Sequence, residues 1–313
     1  MRGFAVSALH EPPFPARRHE ATDQVTEETL TWARQRGMIV DSHRLRRADP
    51  AGLAGRACPD GPVASLRLLT DLICWLFVMD DACDEDGLGD APTRLAPTVA
   101  ALLDVLDRHG DPAAPLPTAA GPLGDALDDL CRRVRQVGHA GMLLRFTSQV
   151  REYLLALLWE AANREHSRTP GLQEYVQMRR HTGGVHPTLT LTDLATGGLT
   201  GPATRTHPAL VALDLLTADL VCWCNDVFSY DKERRTGPDA HNLVSVLAAE
   251  NGGDGPAALR AAADRFNQAL TAYVRTEETL LSTADSEVRP VLRGRRHWIR
   301  ATYDWSRTAA RYA

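Results

Sequence analysis

Between Val63 and Met79 the chain is apolar on nearly every face: Leu66, Leu68, Leu69, Leu72, Ile73, Trp75, Leu76, Phe77, Val78 and Met79. A helix hydrophobic all round has no side to give to water and must lie inside. This one runs directly into Asp80, Asp81, Asp84, Glu85 and Asp86, five carboxylates within seven residues. Acids carry the wrong sign for the negative end of a helix macrodipole. Either cations from elsewhere compensate them, or the acidic end emerges into water. Asp80 and Asp84 stand at i, i+4, where two oxygen donors can share a hard cation.

The other long apolar segments also carry helical periodicity, and alternating strand signals bounded by hairpin turns are absent. Helices are expected over Thr22–Arg36, Pro92–Arg108, Leu123–Val137, Ala140–Asn163, from Pro170 to the Gly183-Gly184 pair, over Thr188–Ala195, Pro208–Glu233 and Asn242–Glu250, and in two last segments to Arg311. Residues 48–62 read as a turn-rich connection, and the proline-rich residues 110–122 as a loop. The fold class is all-α, a bundle of about ten helices. Residues 1–21 form a proline-containing arm and 22–313 a single helical domain.

With 44% hydrophobic and 24% charged residues the composition is that of a globular protein. A net charge of -5 argues against nucleic acid as a partner. No uninterrupted apolar run reaches the length of a membrane span, and the N-terminus lacks the h-region of a secretory signal. The six cysteines include no CxxC pair. They read as reduced, buried thiols of a cytoplasmic protein. His181 and His186 lack a metal-ligand context and read as structural. No nucleophile elbow, P-loop or dinucleotide fingerprint is present.

A second oxygen-bearing element lies far downstream. Asn225, Ser229 and Glu233 recur at i, i+4, i+8 and form one slowly drifting stripe. An amide carbonyl, a hydroxyl and a carboxylate suit Mg2+ rather than Zn2+, since no His or Cys joins them. A solvated helix face would show the same spacing.

Taken together, these elements resemble the class I terpene synthases, particularly the bacterial terpene cyclases. The likeness rests on the aspartate-rich run Asp80-Asp81-Ala82-Cys83-Asp84 and on Asn225-Asp226, Ser229 and Glu233 with the Lys232-Glu233 ending. It also rests on Arg179, 46 positions before Asn225 and followed by Thr182-Gly183, and on Arg311-Tyr312 at the end of the chain. The resemblance implies Mg2+, three ions, held by Asp80, Asp84, Asn225, Ser229 and Glu233, with Glu85 and Asp86 as alternatives to Asp84 in assisting Asp80. It implies diphosphate contacts from Arg179, Lys232, Arg311 and Tyr312, and an ion-pairing role for Asp81 in closure. Gly183 and Gly184 would mark a helix break whose carbonyl meets the substrate, with Thr182 as the linker to Arg179. Phe77 and Trp305 would face the cavity and stabilise a passing cation.

The implied activity is cyclisation of a prenyl diphosphate with release of pyrophosphate, farnesyl diphosphate being the expected substrate. Geranyl and geranylgeranyl diphosphates remain alternatives. A chain-elongating prenyltransferase would carry a second aspartate-rich motif where Asn225 and Ser229 stand. A catalytically inactive helical binding protein is the alternative of a different class. A homodimer without stable membrane insertion is the expected assembly.

Overall fold

The computed structural model describes residues 4, 7–198, 201–236, 241–283 and 288–312, and among them no strand occurs. We number the α-helices in chain order. The acidic-ended helix, α4 (Val63–Asp84), is preceded by α1 (Thr22–Gln35), α2 (His43–Ala48) and α3 (Pro50–Ala57). After it come α5 (Pro92–Asp107), α6 (Gly121–Val137), α7 (Ala140–Glu165), α8 (Leu172–Thr182) and α9 (Val185–Thr196). The short α10 (Pro202–Arg205) leads to α11 (Pro208–Thr236), α12 (Leu243–Glu250), α13 (Gly255–Thr283) and α14 (Val288–Thr308), with a 3-10 turn over Ala310–Tyr312.

Residues 48–62 depart from the expected connection. Asp49 adopts φ 49, accepts a hydrogen bond from the Gly52 amide and so caps α3, with Pro50 as its first residue. A capping acid followed by proline is a helix start, and the small residues behind it let α3 pack closely on α4 and α14.

Helix α4 occupies the middle. Thirteen of its residues are buried, and it packs on α1, α3, α6 and α9. Asp71 interrupts its apolar run at full burial because three neighbours satisfy it. The Thr29 hydroxyl donates at 2.6 Å, Arg67 Nε at 2.8 and 2.9 Å, and Arg133 Nη1 at 2.8 Å. A buried carboxylate persists only with such partners.

On the other side α11 packs on α13 and α14, while α9 bridges α4, α7 and α14. A second buried charge cluster fixes α9 from below. Arg295 of α14, fully buried, pairs with Asp193 of α9 and donates to Asp214 of α11 at 2.8 Å. Arg205 also reaches Asp193, at 2.8 Å. The N-terminal arm lies along α13 and α14: Phe14 meets the Tyr273 ring edge-on, and Arg300 donates to the Pro12 and Phe14 carbonyls.

Candidate active site

A cavity of about 300 Å3 opens between α4, α7, α8, α9, α11 and α14, at the low end of ordinary ligand-site volumes. Its deep wall is apolar and aromatic, with Ile73, Leu76, Phe77, Val221, Trp298 and Trp305. Its mouth is ringed by charge.

The acids at the end of α4 are compensated by cations from four separate elements. Arg311 donates to Asp80 at 2.7 Å and lies 3.2 Å from Asp81. Arg164, in the last turn of α7, pairs with Asp84. Lys232 of α11 donates to Glu85 at 3.0 Å, and Arg44 of α2 holds the other Glu85 oxygen at 2.6 Å. This answers the wrong-sign helix end read from the sequence. Asp80 and Asp84 share a helix but have different ion-pair partners. Burial raises the Asp81 carboxyl above its ordinary pKa, and Arg311 opposes the rise. Burial acts the same way on Glu85, but there the Lys232 ammonium and Arg44 win and hold the carboxyl below its ordinary value.

Asn225, Ser229, Lys232 and Glu233 line the same cavity from α11. Asp226, between them and facing away, is 1% exposed. Its carboxylate accepts from the Tyr175 hydroxyl, from Arg179 and from the Leu243 amide at 3.2 Å. Burial disfavours the Arg179 charge, yet the Asp226 carboxylate outweighs it and keeps the guanidinium pKa well above its usual value.

The break between α8 and α9 falls on Gly183 and Gly184. Gly184 takes φ 63, the left-handed region glycine enters at no steric cost. Its positive φ starts α9 at Val185, earlier than the sequence pattern placed it. A Cβ on Gly183 would sit 2.4 Å from Cys222 Sγ. That sulfur in turn lies 3.5 Å from the Arg179 carbonyl, to which its S–H donates. The Thr182 hydroxyl is buried without a hydrogen-bond partner and belongs to the cavity wall.

The Phe77 and Trp305 rings stack at 5.9 Å, tilted by 25°, and the Arg311 guanidinium lies 4.8 Å from the centre of the Phe77 ring. Trp305 is anchored by its indole N–H, which donates to the Asp49 carbonyl at 3.1 Å. The expected residues from Phe77 to Arg311 thus meet in one cavity. The Tyr312 side chain lies outside the described residues.

Among the cavity residues the sequence reading missed are the polar side chains Tyr153, Glu160 and Arg164 of α7, and His241 before α12, with Val221 and Trp298 of the apolar wall. Tyr153 and Glu160 are two turns apart on one face, and a carboxylate within the apolar stripe of α7 was the available signal. Among the described residues no three His, Cys, Asp or Glu side chains converge as a ready cation cage. The donors on the facing stretches of α4 and α11 are instead carboxylates with one amide and one hydroxyl, Asp80 and Asp84 across from Asn225, Ser229 and Glu233, all oxygen. That donor set fits a hard divalent cation that keeps much of its water.

A helical bundle with oxygen donors on two facing helices and a mouth of paired acids and bases defines a class that comparison with known proteins identifies. The family model for terpene synthase family 2, C-terminal metal binding, matches residues 71–272. The chain belongs to this family, the class I terpene synthases. It is 35% identical over 307 residues to the (+)-T-muurolol synthase ((2E,6E)-farnesyl diphosphate cyclizing) of Roseiflexus castenholzii, covering 96% of this chain and 92% of that protein. It is 32% identical over 304 residues to the 4-epi-cubebol synthase ((2E,6E)-farnesyl diphosphate cyclizing) of Streptosporangium roseum, covering 96% and 90%. Wild-type cucumene synthase superposes with a TM-score of 0.81 at 25% identity, over 95% of this chain and 99% of that structure. Among the described residues no helix is long and apolar enough to cross a membrane.

Proposed function

We propose that the protein is a sesquiterpene cyclase that ionises farnesyl diphosphate, cyclises the resulting cation and releases pyrophosphate. The observation that carries this reading is the junction of two surfaces in one cavity. Asp80, Asn225, Ser229, Glu233, Arg179, Lys232 and Arg311 gather at the mouth, while Ile73, Phe77, Trp298 and Trp305 line the interior. The farnesyl diphosphate specificity of the two relatives supports the substrate. Residues 22–313 would act as the catalytic unit, with Pro12 and Phe14 of the preceding arm held against α13 and α14.

The first step breaks the allylic C–O bond, and its electron pair leaves with the diphosphate oxygen. Asp80, Asp84, Asn225, Ser229 and Glu233 would hold Mg2+, three ions, which would supply Lewis-acid neutralisation of that developing charge. Arg179, Lys232 and Arg311 would bind the diphosphate oxygens, the arginines through forked contacts, with Tyr312 beside them. For Lys232 and Arg311 this means leaving Glu85 and Asp80, so diphosphate binding exchanges one set of ion pairs for another. Asp81 then remains the partner for Arg311 during closure. The helix break at Gly183 and Gly184, joined to Arg179 through Thr182, would bring a backbone carbonyl to the ionising carbon.

Within the cavity the substrate's own π-bonds attack the cation and close the ring. The Phe77 and Trp305 faces would stabilise the positive charge as it moves, and the apolar walls exclude water. The cation ends by losing a proton to give a hydrocarbon, or by adding water and losing a proton to give an alcohol.

The test is incubation with geranyl, farnesyl and geranylgeranyl diphosphates, each with Mg2+ and with EDTA, followed by gas chromatography with mass spectrometry. A cyclic C15 product that appears from farnesyl diphosphate only with Mg2+ is expected. A cyclic product only from the C10 or C20 substrate would reassign the chain length. An elongated diphosphate on addition of isopentenyl diphosphate, or no pyrophosphate from any substrate, would overturn the cyclase reading.

A further inference from the structure

Asn242 lies nine residues beyond Glu233 and belongs to a different helix, yet its side chain is built into the oxygen stripe of α11. Its Oδ1 accepts from the Val244 amide at 2.8 Å and so caps α12. Its Nδ2 donates to Glu233 Oε2 at 2.7 Å and to the Asp226 carbonyl at 2.9 Å, and lies 3.5 Å from Ser229 Oγ. The residue is 1% exposed. One amide thus spans two turns of α11 and touches two of the three residues of the stripe.

We propose that Asn242 is a positioning residue for the metal-binding face, rigidly orienting the Glu233 carboxylate and the Ser229 hydroxyl toward the cation they hold. The proposal rests on the assignment of Asn225, Ser229 and Glu233 as metal ligands. The physical reason lies in the flexibility of the ligands. Glu233 is a long side chain, and its carboxylate can turn away from the cavity unless one oxygen is held. A ligating carboxylate is ordinarily fixed by such an outer hydrogen bond, and losing it weakens metal binding or activity about 10- to 100-fold. Here the donor comes from outside the stripe, on the helix that follows, so the seating of α12 and the shape of the metal face are coupled through one side chain.

The two ends of Asn242 can be separated. Serine is as good an N-cap as asparagine but has no amide to span the stripe. Asn242→Ser should therefore keep the cap and lose the contact to Glu233. Binding of Mn2+ in the presence of inorganic pyrophosphate, followed by electron paramagnetic resonance, reads the metal face without turnover. The expected result is Mn2+ binding weakened about 10- to 100-fold. The Mg2+ concentration for half-maximal rate should rise in parallel. The KM for farnesyl diphosphate at saturating Mg2+ and the helical content by circular dichroism should stay near those of the parent, while the melting temperature falls by the lost buried hydrogen bonds. Glu233→Gln is the control. If it leaves Mn2+ binding unchanged, the assignment of the metal face is wrong, and the proposal loses its ground. If Glu233→Gln weakens binding while folded Asn242→Ser binds Mn2+ as the parent does, the positioning role alone is overturned. Should Asn242→Ser fail to fold, Asn242→Thr, another capping side chain, takes its place under the same criterion.

Discussion

Arg179 donates through both Nε and Nη2 to a single oxygen of Asp226, at 3.2 and 2.9 Å, while Nη2 also reaches the Asn225 amide oxygen at 3.2 Å. The arginine of α8 is thereby pinned to the two residues that open the oxygen stripe of α11. Any motion of one helix at this point is felt by the other.

Asp226→Asn tests that coupling. Truncating one partner of a buried ion pair costs about 3–5 kcal/mol, because the other charge stays buried and unpaired. The amide retains an acceptor for Tyr175, so the expected loss lies near the lower figure. Urea denaturation measures it. Pyrophosphate release should fall more steeply than stability, and a variant with parental turnover would remove Asp226 from the positioning of Arg179.

Gly183→Ala places a methyl group 2.4 Å from Cys222 Sγ and 3.0 Å from the Arg179 carbonyl. Overpacking of this kind costs about 1–3 kcal/mol, and it should displace the helix break. We expect a lower melting temperature and slower pyrophosphate release. The double variant Gly183→Ala, Cys222→Ala removes the sulfur and should recover much of the stability. If the double variant is no better than the single one, the clash with the Arg179 carbonyl dominates instead.

Trp305→Leu removes the aromatic face stacked on Phe77 while keeping an apolar wall. Products should shift toward acyclic or early-quenched compounds, because the cation loses a ring whose attraction is worth about 2 kcal/mol in a desolvated site. Trp305→Phe should keep cyclic products. Chromatography of the extracts checks both, and an unchanged profile for the leucine variant would leave Trp305 a packing residue only.

His186 provides a pH test away from the metal face. Burial lowers its pKa from 6.5 to about 4, with Asp214 opposing the shift and His181, Arg145 and Arg295 adding to it. The folded protein therefore keeps this imidazole neutral. Below pH 6.5 the unfolded chain takes up a proton that the folded chain does not, and stability is lost as pH falls toward 4. Between pH 7 and 5 the loss should be about 2 kcal/mol. Urea denaturation at the two pH values measures it, and a His186→Asn variant should lack this component.

Much of the fold was legible because burial writes itself as period. The continuous apolar run before Asp80 announced a central helix, and α4 is that helix. The short α3 was not legible, since Pro50-Ala51-Gly52 reads as a turn and only the left-handed Asp49 cap makes it helical. In the cavity lining, the residues with local spacing were legible: Asp80 and Asp84, and the Asn225, Ser229 and Glu233 stripe. Tyr153, Glu160, Arg164 and His241 were not, because each belongs to the cavity only through the packing of its helix against others.

Most of the helices, and which residues carry oxygen toward one face, follow from local spacing alone, since helical periodicity is a property of the local chain. The sequence also marked the acidic end of α4 as carrying the wrong sign for the macrodipole, to be met either by cations or by water. That cations meet it, and which ones, was decided only by the tertiary structure. Arg44, Arg164, Lys232 and Arg311 come from four elements far apart in the chain, and no local rule selects them. The same holds for Asn242. Its capping role belongs to its own helix, but its hold on Glu233 exists because α11 and α12 pack side by side.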